Sequence, residues 1–330
     1  MSDRLRSYPV SVDPAMAPPA ATTRLAQRRP EGSADGGGLS LETLLSRIHG
    51  LPALSPAVVR ALQLSDKETI PAREIVDVIN ADGRFGSRVV KAANSPSFNL
   101  PRPITSVNDA MLLLGTSAIR EVVLVAAARD IFFRSASGYG LGPKDMWAHS
   151  LACGIASEIV ADAIGYHSRS EAFIGGLLHD VGKIVLNEEM QTAGPAVREH
   201  MAREDCTFVE AERAVLGYDH CDIGARVARA WSVPQHIVQA VMLHRKPVIL
   251  RQTVPLAGLI HLGEILCSMA GIGLGFDGLG LTLDTQVMKD FKFTEEMSDA
   301  ALSRLLDRLA ASAGLFAPPA EAAPKPAVAA

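Results

Sequence analysis

Apolar residues recur along the middle of the chain at the spacing of one helix face. A first face of this kind consists of Leu41, Leu44, Leu45 and Ile48, and a later one of Trp147, Leu151, Ile155 and Ile159. Steps of three and four residues are typical of amphipathic helices. No alternating apolar and polar run is long enough for a strand, and aromatic residues make up only 5% of the chain, which disfavours a sheet. The pattern predicts an all-α fold.

Capping residues predict where several helices begin and end. Ser106 begins a helix that Gly115 closes, and a longer helix then runs to about Arg134. Thr207, with Glu210 three residues later, forms a capping box at the start of another helix. Further helices are predicted over 55–64, from Pro71 onward, and over 221–231, 234–244 and 255–270.

Composition divides the chain into segments. Both ends lack the large apolar side chains that would offset the entropy of ordering, and glycines in residues 135–143 interrupt the helical periodicity. The predicted organisation is a disordered leader over 1–38, a first helical lobe over about 41–134, a second lobe from about 143, C-terminal helices over 248–314 that complete this lobe, and a disordered tail over 315–330.

Charge and hydropathy exclude two classes of partner. The 330 residues carry a formal net charge of −4, so the chain lacks the basic surplus that nucleic-acid binding requires. The longest apolar stretch, 122–128, is far shorter than the roughly 20 residues that span a bilayer, and no membrane insertion is expected. The cysteines Cys153, Cys206, Cys221 and Cys267 have no C-x-x-C spacing and follow no secretory signal, which predicts reduced thiols and a cytoplasmic location.

Candidate chemistry is concentrated where an apolar helix leads into His179, Asp180 and Lys183. Imidazole and carboxylate ligands suit divalent Mn, Fe, Co or Zn, and a neighbouring lysine could hold a phosphate. His149 lies on the apolar face that begins at Trp147, so it is expected to point to the same interior. The alternative for these histidines is a structural role, with each imidazole hydrogen-bonded to a backbone carbonyl.

Other motifs give less support to chemistry. His220 is expected to open a helix, and His244 to close one, where the helix dipole favours a cation. The glycine-rich residues 271–278 follow no predicted strand, so they predict a mobile loop between helices rather than a phosphate-binding loop. No G-x-S-x-G or cysteine nucleophile motif occurs. Metal-assisted phosphoester hydrolysis is therefore the one enzymatic alternative.

Several motifs together resemble the HDOD domain. They are residues 51–56, 79–82, 88–95 and 110–115 in the first lobe, and 147–150, 171–183 and 224–244 in the second. The resemblance covers residues 51–247. It implies a two-lobed helical fold related to HD phosphohydrolases and to HD-GYP cyclic-di-GMP phosphodiesterases, with the second lobe phosphohydrolase-like. Such domains serve as bacterial signalling or regulatory modules.

The resemblance also implies a set of metal ligands. In HD phosphohydrolases the positions are a first His, the HD pair and a distal Asp, which correspond here to His149, His179, Asp180 and, with Glu in place of Asp, Glu264. His220 and His244 match additional histidines of HD-GYP relatives and are secondary candidates.

Two departures from the HD-GYP pattern argue against a second metal. Arg245 stands where those relatives carry an adjacent histidine, and the GYP motif is absent. A guanidinium cannot ligate a metal, and its charge would oppose a second cation by several kcal/mol at a few ångströms.

Two functions follow. The first is a non-enzymatic regulatory module, without a required cofactor, that binds a protein partner of a signalling pathway or a small ligand in the groove between the lobes. The alternative is a mononuclear phosphohydrolase acting on a nucleotide or cyclic dinucleotide, in which a divalent metal activates water and Lys183 or Arg245 orients the phosphate.

Overall fold

The structure is a computed structural model that describes residues 41–51, 54, 58–60, 72–98, 100–133, 136–312 and 315. Its α-helices are α1 (Leu41–Gly50), α2 (Ala72–Asn80), α3 (Gly83–Ala93), α4 (Val107–Phe132), α5 (Pro143–Ile164), α6 (Arg169–Leu178), α7 (Val181–Glu204), α8 (Phe208–Leu216), α9 (His220–Ala230), α10 (Gln235–Leu243), α11 (Pro255–Met269), α12 (Thr285–Phe291) and α13 (Glu295–Ala311). Two short strands, β1 (Val248–Ile249) and β2 (Gln252–Thr253), form an antiparallel hairpin between α10 and α11. The all-α prediction is confirmed.

Some predictions fall on residues that the structure does not describe. These are the leader over 1–38, most of the helix predicted over 55–64, and the tail after residue 315. Among the helices that are described, none combines the length and the apolar character that a membrane span requires.

The predicted helix boundaries agree with local backbone geometry. Ser106 caps α4, since its side chain accepts a hydrogen bond from the backbone N–H of Asp109. Gly115 interrupts α4 with φ 75° and ψ 179°, a conformation that is essentially restricted to glycine. Thr207 and Glu210 form the predicted capping box of α8. These three features depend on neighbouring residues alone.

Helix α5 lies at the centre of the second half of the fold and packs most extensively against α6 and α11. Glycines on both partners allow this close approach. A Cβ on Gly176 of α6 would lie 2.6 Å from the Ser157 hydroxyl of α5, and a Cβ on Gly263 of α11 would lie 2.5 Å from the same hydroxyl. Because both helices contact α5 at Ser157, the residues that follow Gly176 and Gly263 in the sequence lie close to one another.

The segment predicted to separate the lobes packs onto α7. Ala136 and Leu141 pair across a short turn, and the N–H of Gly138 donates to the side chain of Asn187 at 2.9 Å. Tyr139 is fully buried, and its hydroxyl donates to Glu212 at 2.7 Å. This segment therefore contributes to the interior of the second half of the chain.

Candidate functional site

A group of ionisable side chains occupies the interior between α5 and α11, and we call it the buried polar cluster. Its members are His149 on α5, His179 and Asp180 between α6 and α7, Lys183 on α7, Glu212 on α8, His220 on α9, His244 and Arg245 after α10, Glu264 on α11, and Asp277 in the loop after α11. None of these side chains is more than 8% exposed.

A tight turn between α6 and α7 positions the HD pair. Helix α6 ends at Leu178 and α7 begins at Val181, so His179 and Asp180 form the connection. Gly182 in the first turn of α7 touches the first turn of α9, because a Cβ there would lie 1.9 Å from the carbonyl oxygen of His220. The absence of a side chain at this position lets α9 place His220 beside Asp180.

All four imidazoles of the cluster have Nδ1 opposite an acceptor oxygen. His149 faces the carbonyl of Ile272 at 3.2 Å, and His179 faces that of Gly176 at 2.7 Å. His244 faces the carbonyl of Val241 at 2.7 Å, and His220 faces the Glu212 carboxylate at 2.5 Å.

A carbonyl oxygen can only accept a hydrogen bond, so Nδ1 carries the proton in the three carbonyl-facing imidazoles. Their Nε2 atoms, like that of His220, face Asp180. An imidazole oriented in this way by its other nitrogen is typical of metal-ligating histidines.

The two oxygens of Asp180 face different members of the cluster. Oδ2 lies 2.6 Å from Nζ of Lys183 and 3.3 Å and 3.4 Å from Nε2 of His179 and His149. Oδ1 lies 3.6 Å and 3.9 Å from Nε2 of His220 and His244. Burial raises the pKa of Asp180, but the charges of His179 and Lys183 outweigh burial and hold this pKa well below its usual range.

The predicted phosphate contacts Lys183 and Arg245 both form ion pairs with Asp277. Its Oδ2 atom lies 2.7 Å from Nζ of Lys183 and 2.5 Å from Nη2 of Arg245. Arg245 also lies 2.6 Å from Oε1 of Glu264. Burial raises the pKa of Asp277, but the two cations outweigh burial, so the pKa is lowered. The result is a continuous chain of charges from Asp180 to Glu264.

Several buried polar atoms in the cluster have no hydrogen-bond partner. They are Nε2 of His149, His179 and His220, Oδ1 of Asp180, Oε2 of Glu264 and Nε of Arg245. Buried polar atoms are almost always paired, so each such atom indicates an additional ligand or water. Donor atoms of the four predicted metal ligands, His149, His179, Asp180 and Glu264, lie within 4.8 Å of one another. Two nitrogens and two oxygens suit Mn, Fe, Co or Zn. The residues present therefore fit a divalent ion.

Sequence reasoning missed Glu212 and Asp277. Glu212 orients His220 and accepts from Tyr139, while Asp277 binds both buried cations. A signal for Glu212 was present, because it lies four residues after Phe208 on the apolar face of α8. Asp277 lies in the glycine-rich loop that was expected only to connect helices. There Gly273 approaches the cluster, since a Cβ on it would lie 2.4 Å from Cβ of His149.

Comparisons with known proteins identify related folds. A family model of the HDOD domain matches residues 51–247. The structure is similar to that of an HDOD domain protein of unknown function from Geobacter sulfurreducens, with a TM-score of 0.64 and 23% identity, over 84% of this chain and 98% of that one. No curated protein matches the chain.

Two further solved structures have the same fold. A protein from Shewanella amazonensis SB2B, named as a candidate phosphohydrolase, gives a TM-score of 0.59 and 21% identity over 83% of this chain and 95% of that one. A candidate signal transduction protein from Marinobacter aquaeolei VT8 gives a TM-score of 0.58 and 19% identity over 83% of this chain and 65% of that one. At these identities the likeness concerns the fold alone.

Proposed function

Because the chain belongs to the HDOD domain family, we propose that it is a non-enzymatic signalling module in which the buried polar cluster connects the helices rather than performing hydrolysis. The family assignment made from the sequence over residues 51–247 is confirmed. The proposal concerns what the second half of this domain does with the histidines and carboxylates that resemble a phosphohydrolase site.

Burial of the cluster is the observation that carries this proposal. His179, Asp180, His220 and His244 are 0% exposed, so a phosphoester cannot contact them without movement of the surrounding helices. The cations that would orient a phosphate are also engaged, since Lys183 and Arg245 each contact two carboxylates at 2.5–2.7 Å. A phosphate would have to compete with these buried ion pairs.

A hydrolysis assay combined with unfolding measurements tests the proposal. We expect the full chain with added Mn²⁺ to give no turnover of bis(p-nitrophenyl) phosphate or a cyclic dinucleotide above the metal-only blank. We expect His179→Ala and Asp180→Ala mainly to lower the free energy of unfolding, by about 3–5 kcal/mol for Asp180→Ala, because removing one partner leaves buried charges unpaired. The matched control is Asp299→Asn at an exposed position of α13.

A specific result would contradict this function. It is a folded Asp180→Ala protein with wild-type stability that has lost a phosphodiesterase activity measurable in the unmodified chain. Such a result would show that the Asp180 carboxylate takes part in hydrolysis and is not needed for stability.

A second candidate function is favoured by the unpaired donor atoms. Nε2 of His149, Nε2 of His179 and Oε2 of Glu264 have no hydrogen-bond partner. With a carboxylate oxygen of Asp180, these residues fit a mononuclear metal that would activate water for phosphoester hydrolysis. Elemental analysis of protein purified without chelator separates the candidates. Near-stoichiometric metal with Mn²⁺-dependent turnover would support hydrolysis, whereas absence of both eliminates it.

The partner is proposed at the level of chemistry alone. For a regulatory module we expect binding of a protein of a bacterial signalling pathway or of a nucleotide, rather than nucleic acid. Isothermal titration with cyclic dinucleotides tests the nucleotide class, and a lack of heat would leave a protein partner as the surviving alternative.

A further inference from the structure

Helix α3 presents a row of basic side chains to solvent, which we call the α3 basic face. Its members Arg84, Arg88 and Lys91 are exposed, and steps of four and three residues place them on one side of the helix. The helix contains no acidic residue. Arg102, in the loop that leads to α4, is also exposed and adds a fourth cation to this part of the molecule.

Three of these cations have no carboxylate partner in the part of the chain that the structure describes. They are Arg84, Lys91 and Arg102. The neighbouring Asp82 is engaged elsewhere, because its side chain caps α3 by accepting hydrogen bonds from the N–H groups of Arg84 and Phe85 at 3.0 Å and 3.1 Å. The α3 basic face is therefore a local positive charge on a chain whose formal net charge is −4.

A groove with a volume of about 380 Å³ lies between α3 and the start of α4. The residues that line it include Gly83, Gly86, Ser87 and Val90 on α3, and Thr105 and Ser106 on the opposite wall. A Cβ on Gly83 would meet no atom within 4 Å, so this end of the groove is open. The volume lies within the range of roughly 300–1,000 Å³ that is typical of ligand pockets.

The wall opposite α3 is held in place by hydrogen bonds. The side chain of Asn94 donates to the carbonyl of Ile104 at 2.8 Å and accepts from the N–H of the same residue at 2.8 Å. The hydroxyl of Ser106 accepts from the N–H of Asp109 at 3.0 Å. Because these contacts fix both ends of the wall, a ligand does not have to order it on binding.

The groove and the α3 basic face are adjacent around the circumference of α3. At about 100° per residue, Ser87 in the groove lies between Gly83 on one side and Arg84 and Lys91 on the other. A ligand that occupies the groove would therefore have cations along one edge.

We propose that the groove and the α3 basic face together bind an acidic segment of a partner protein. Carboxylates of the segment pair with Arg84, Arg88 and Lys91, and a short aliphatic side chain enters the groove against Val90. The inference rests on the proposed function, because it gives the chemistry of the protein partner that a signalling module requires.

Charge and shape favour an acidic polypeptide over nucleic acid. Nucleic-acid binding relies on a large basic surplus that contacts a continuous phosphate backbone, whereas here a short row of cations stands on an acidic chain. A groove with hydroxyl groups and Val90 suits a single small side chain. A partly apolar centre with charged residues at its edge is typical of protein–protein interfaces.

Fluorescence anisotropy on the full chain tests the α3 basic face. The probe is a fluorescein-labelled oligoglutamate peptide with one central leucine. We expect saturable binding that weakens as NaCl is added, and a loss of affinity of roughly tenfold or more in the double variant Arg84→Glu/Lys91→Glu. The matched control is Lys144→Glu/Arg226→Glu, which makes the same charge change at exposed positions of α5 and α9 and should bind as the wild type does.

Filling the groove tests the other half of the site without changing its charge. Gly83→Trp places a large side chain where Cβ meets open space. We expect it to weaken binding of the leucine-containing peptide roughly tenfold and to leave binding of an all-glutamate peptide unchanged. Unaltered binding of the leucine-containing peptide would contradict the groove as its binding site.

Three other outcomes would overturn the proposal. They are no saturable binding of the peptide by the wild type, equal weakening by the two double variants, and tighter binding of an oligonucleotide of the same charge than of the peptide. The last result would assign the α3 basic face to nucleic acid.

A measurement on the unmodified chain covers the case in which a variant does not fold. Acetylation by acetic anhydride, followed by peptide mapping, reports each lysine separately. We expect the peptide to slow acetylation of Lys91 and to leave the equally exposed Lys289 on α12 unchanged. Equal rates at Lys91 with and without the peptide would refute the contact.

These readouts are separable from the test of the proposed function, because none of them involves the buried polar cluster. A failure of peptide binding would leave the absence of hydrolysis unaffected. Phosphodiesterase turnover would overturn the non-enzymatic function without changing the effect of Arg84→Glu/Lys91→Glu on peptide affinity.

Discussion

Replacement of Asp277 by asparagine is the sharpest test of the charge arrangement in the buried polar cluster. The carboxylate of Asp277 contacts Lys183 at 2.7 Å and Arg245 at 2.5 Å, and all three side chains are at most 8% exposed. Asparagine has nearly the same shape, but it lacks the negative charge and presents an amide N–H₂ group to the two cations. The substitution therefore removes an electrostatic partner without creating a cavity.

The expected cost follows from the remaining contacts. Removing one partner of a buried ion pair costs about 3–5 kcal/mol. Lys183 retains Asp180 at 2.6 Å and Arg245 retains Glu264 at 2.6 Å, so we expect the lower end, about 3 kcal/mol. At roughly 2 °C per kcal/mol for a domain of this size, Tm falls by ~6 °C.

The pH dependence gives an independent check on the same variant. The pKa of Asp277 is lower in the folded chain than in the unfolded chain, because Lys183 and Arg245 outweigh the effect of burial. The carboxylate therefore contributes its full stabilisation above a pH of about 4 and loses it as the pH falls toward the folded-state pKa. We expect the stability difference between wild type and Asp277→Asn to narrow below pH 4.

Urea denaturation followed by circular dichroism measures both effects. Asp299→Asn, at an exposed position of α13, is the matched control for loss of one negative charge. We expect it to have the same urea midpoint as the wild type. The reasoning is refuted if Asp277→Asn has the same midpoint as this control at pH 7. A stability difference that widens as the pH falls would refute the assigned charge state.

Three further substitutions test two close packing or backbone positions and a buried acid outside the buried polar cluster. Gly182→Ala would place Cβ 1.9 Å from the carbonyl oxygen of His220, so we expect the free energy of unfolding to fall by about 3 kcal/mol or more. The control is Gly83→Ala, whose Cβ meets open space and which should leave the stability nearly unchanged. Equal Tm values for the two variants would contradict the contact between Gly182 and His220. Gly115→Ala should lower the free energy of unfolding, measured by urea denaturation, by about 1–3 kcal/mol, because a side chain is disfavoured at φ 75° and ψ 179°. An unchanged urea midpoint would argue against this backbone conformation within α4. Burial, with a neighbouring glutamate, raises the pKa of Glu121 to about 8, so stability falls as the pH rises from about 4.3 to 8. The stability of Glu121→Gln relative to the wild type should therefore increase over that pH interval. A stability difference that does not change with pH would rule out the shifted pKa.

Features that depend on adjacent residues could be predicted from the sequence. The cap at Ser106, the break at Gly115 and the capping box of Thr207 with Glu210 each involve residues within four positions of one another. Their geometry is determined by local hydrogen bonds and by the freedom of glycine to adopt positive φ. The all-α fold followed in the same way, from apolar spacing that a helix converts into one buried face.

Features that depend on distant partners were predicted less completely. His149, His179, Asp180 and Glu264 were grouped through family resemblance, and the structure places them together, although metal binding there stays a prediction. Asp277 could not be assigned, because its partner Lys183 is 94 residues away and a loop acid without known neighbours is expected to be solvated. Lys183 and Arg245 were interpreted as phosphate contacts because the sequence does not show which carboxylates surround them.

The long sequence separations within the buried polar cluster have a consequence for folding. His149 and the carbonyl of Ile272 are 123 residues apart, so their contact requires closure of a long loop, which is entropically costly and slow. A partly folded chain that had buried Lys183 and Arg245 without Asp277 would lack the carboxylate that both cations share, and burial of charged groups without their partners is costly. Such intermediates are disfavoured. We therefore expect α5, α7 and the loop after α11 to open as one cooperative unit, with their slowest amide hydrogens exchanging at a common free energy.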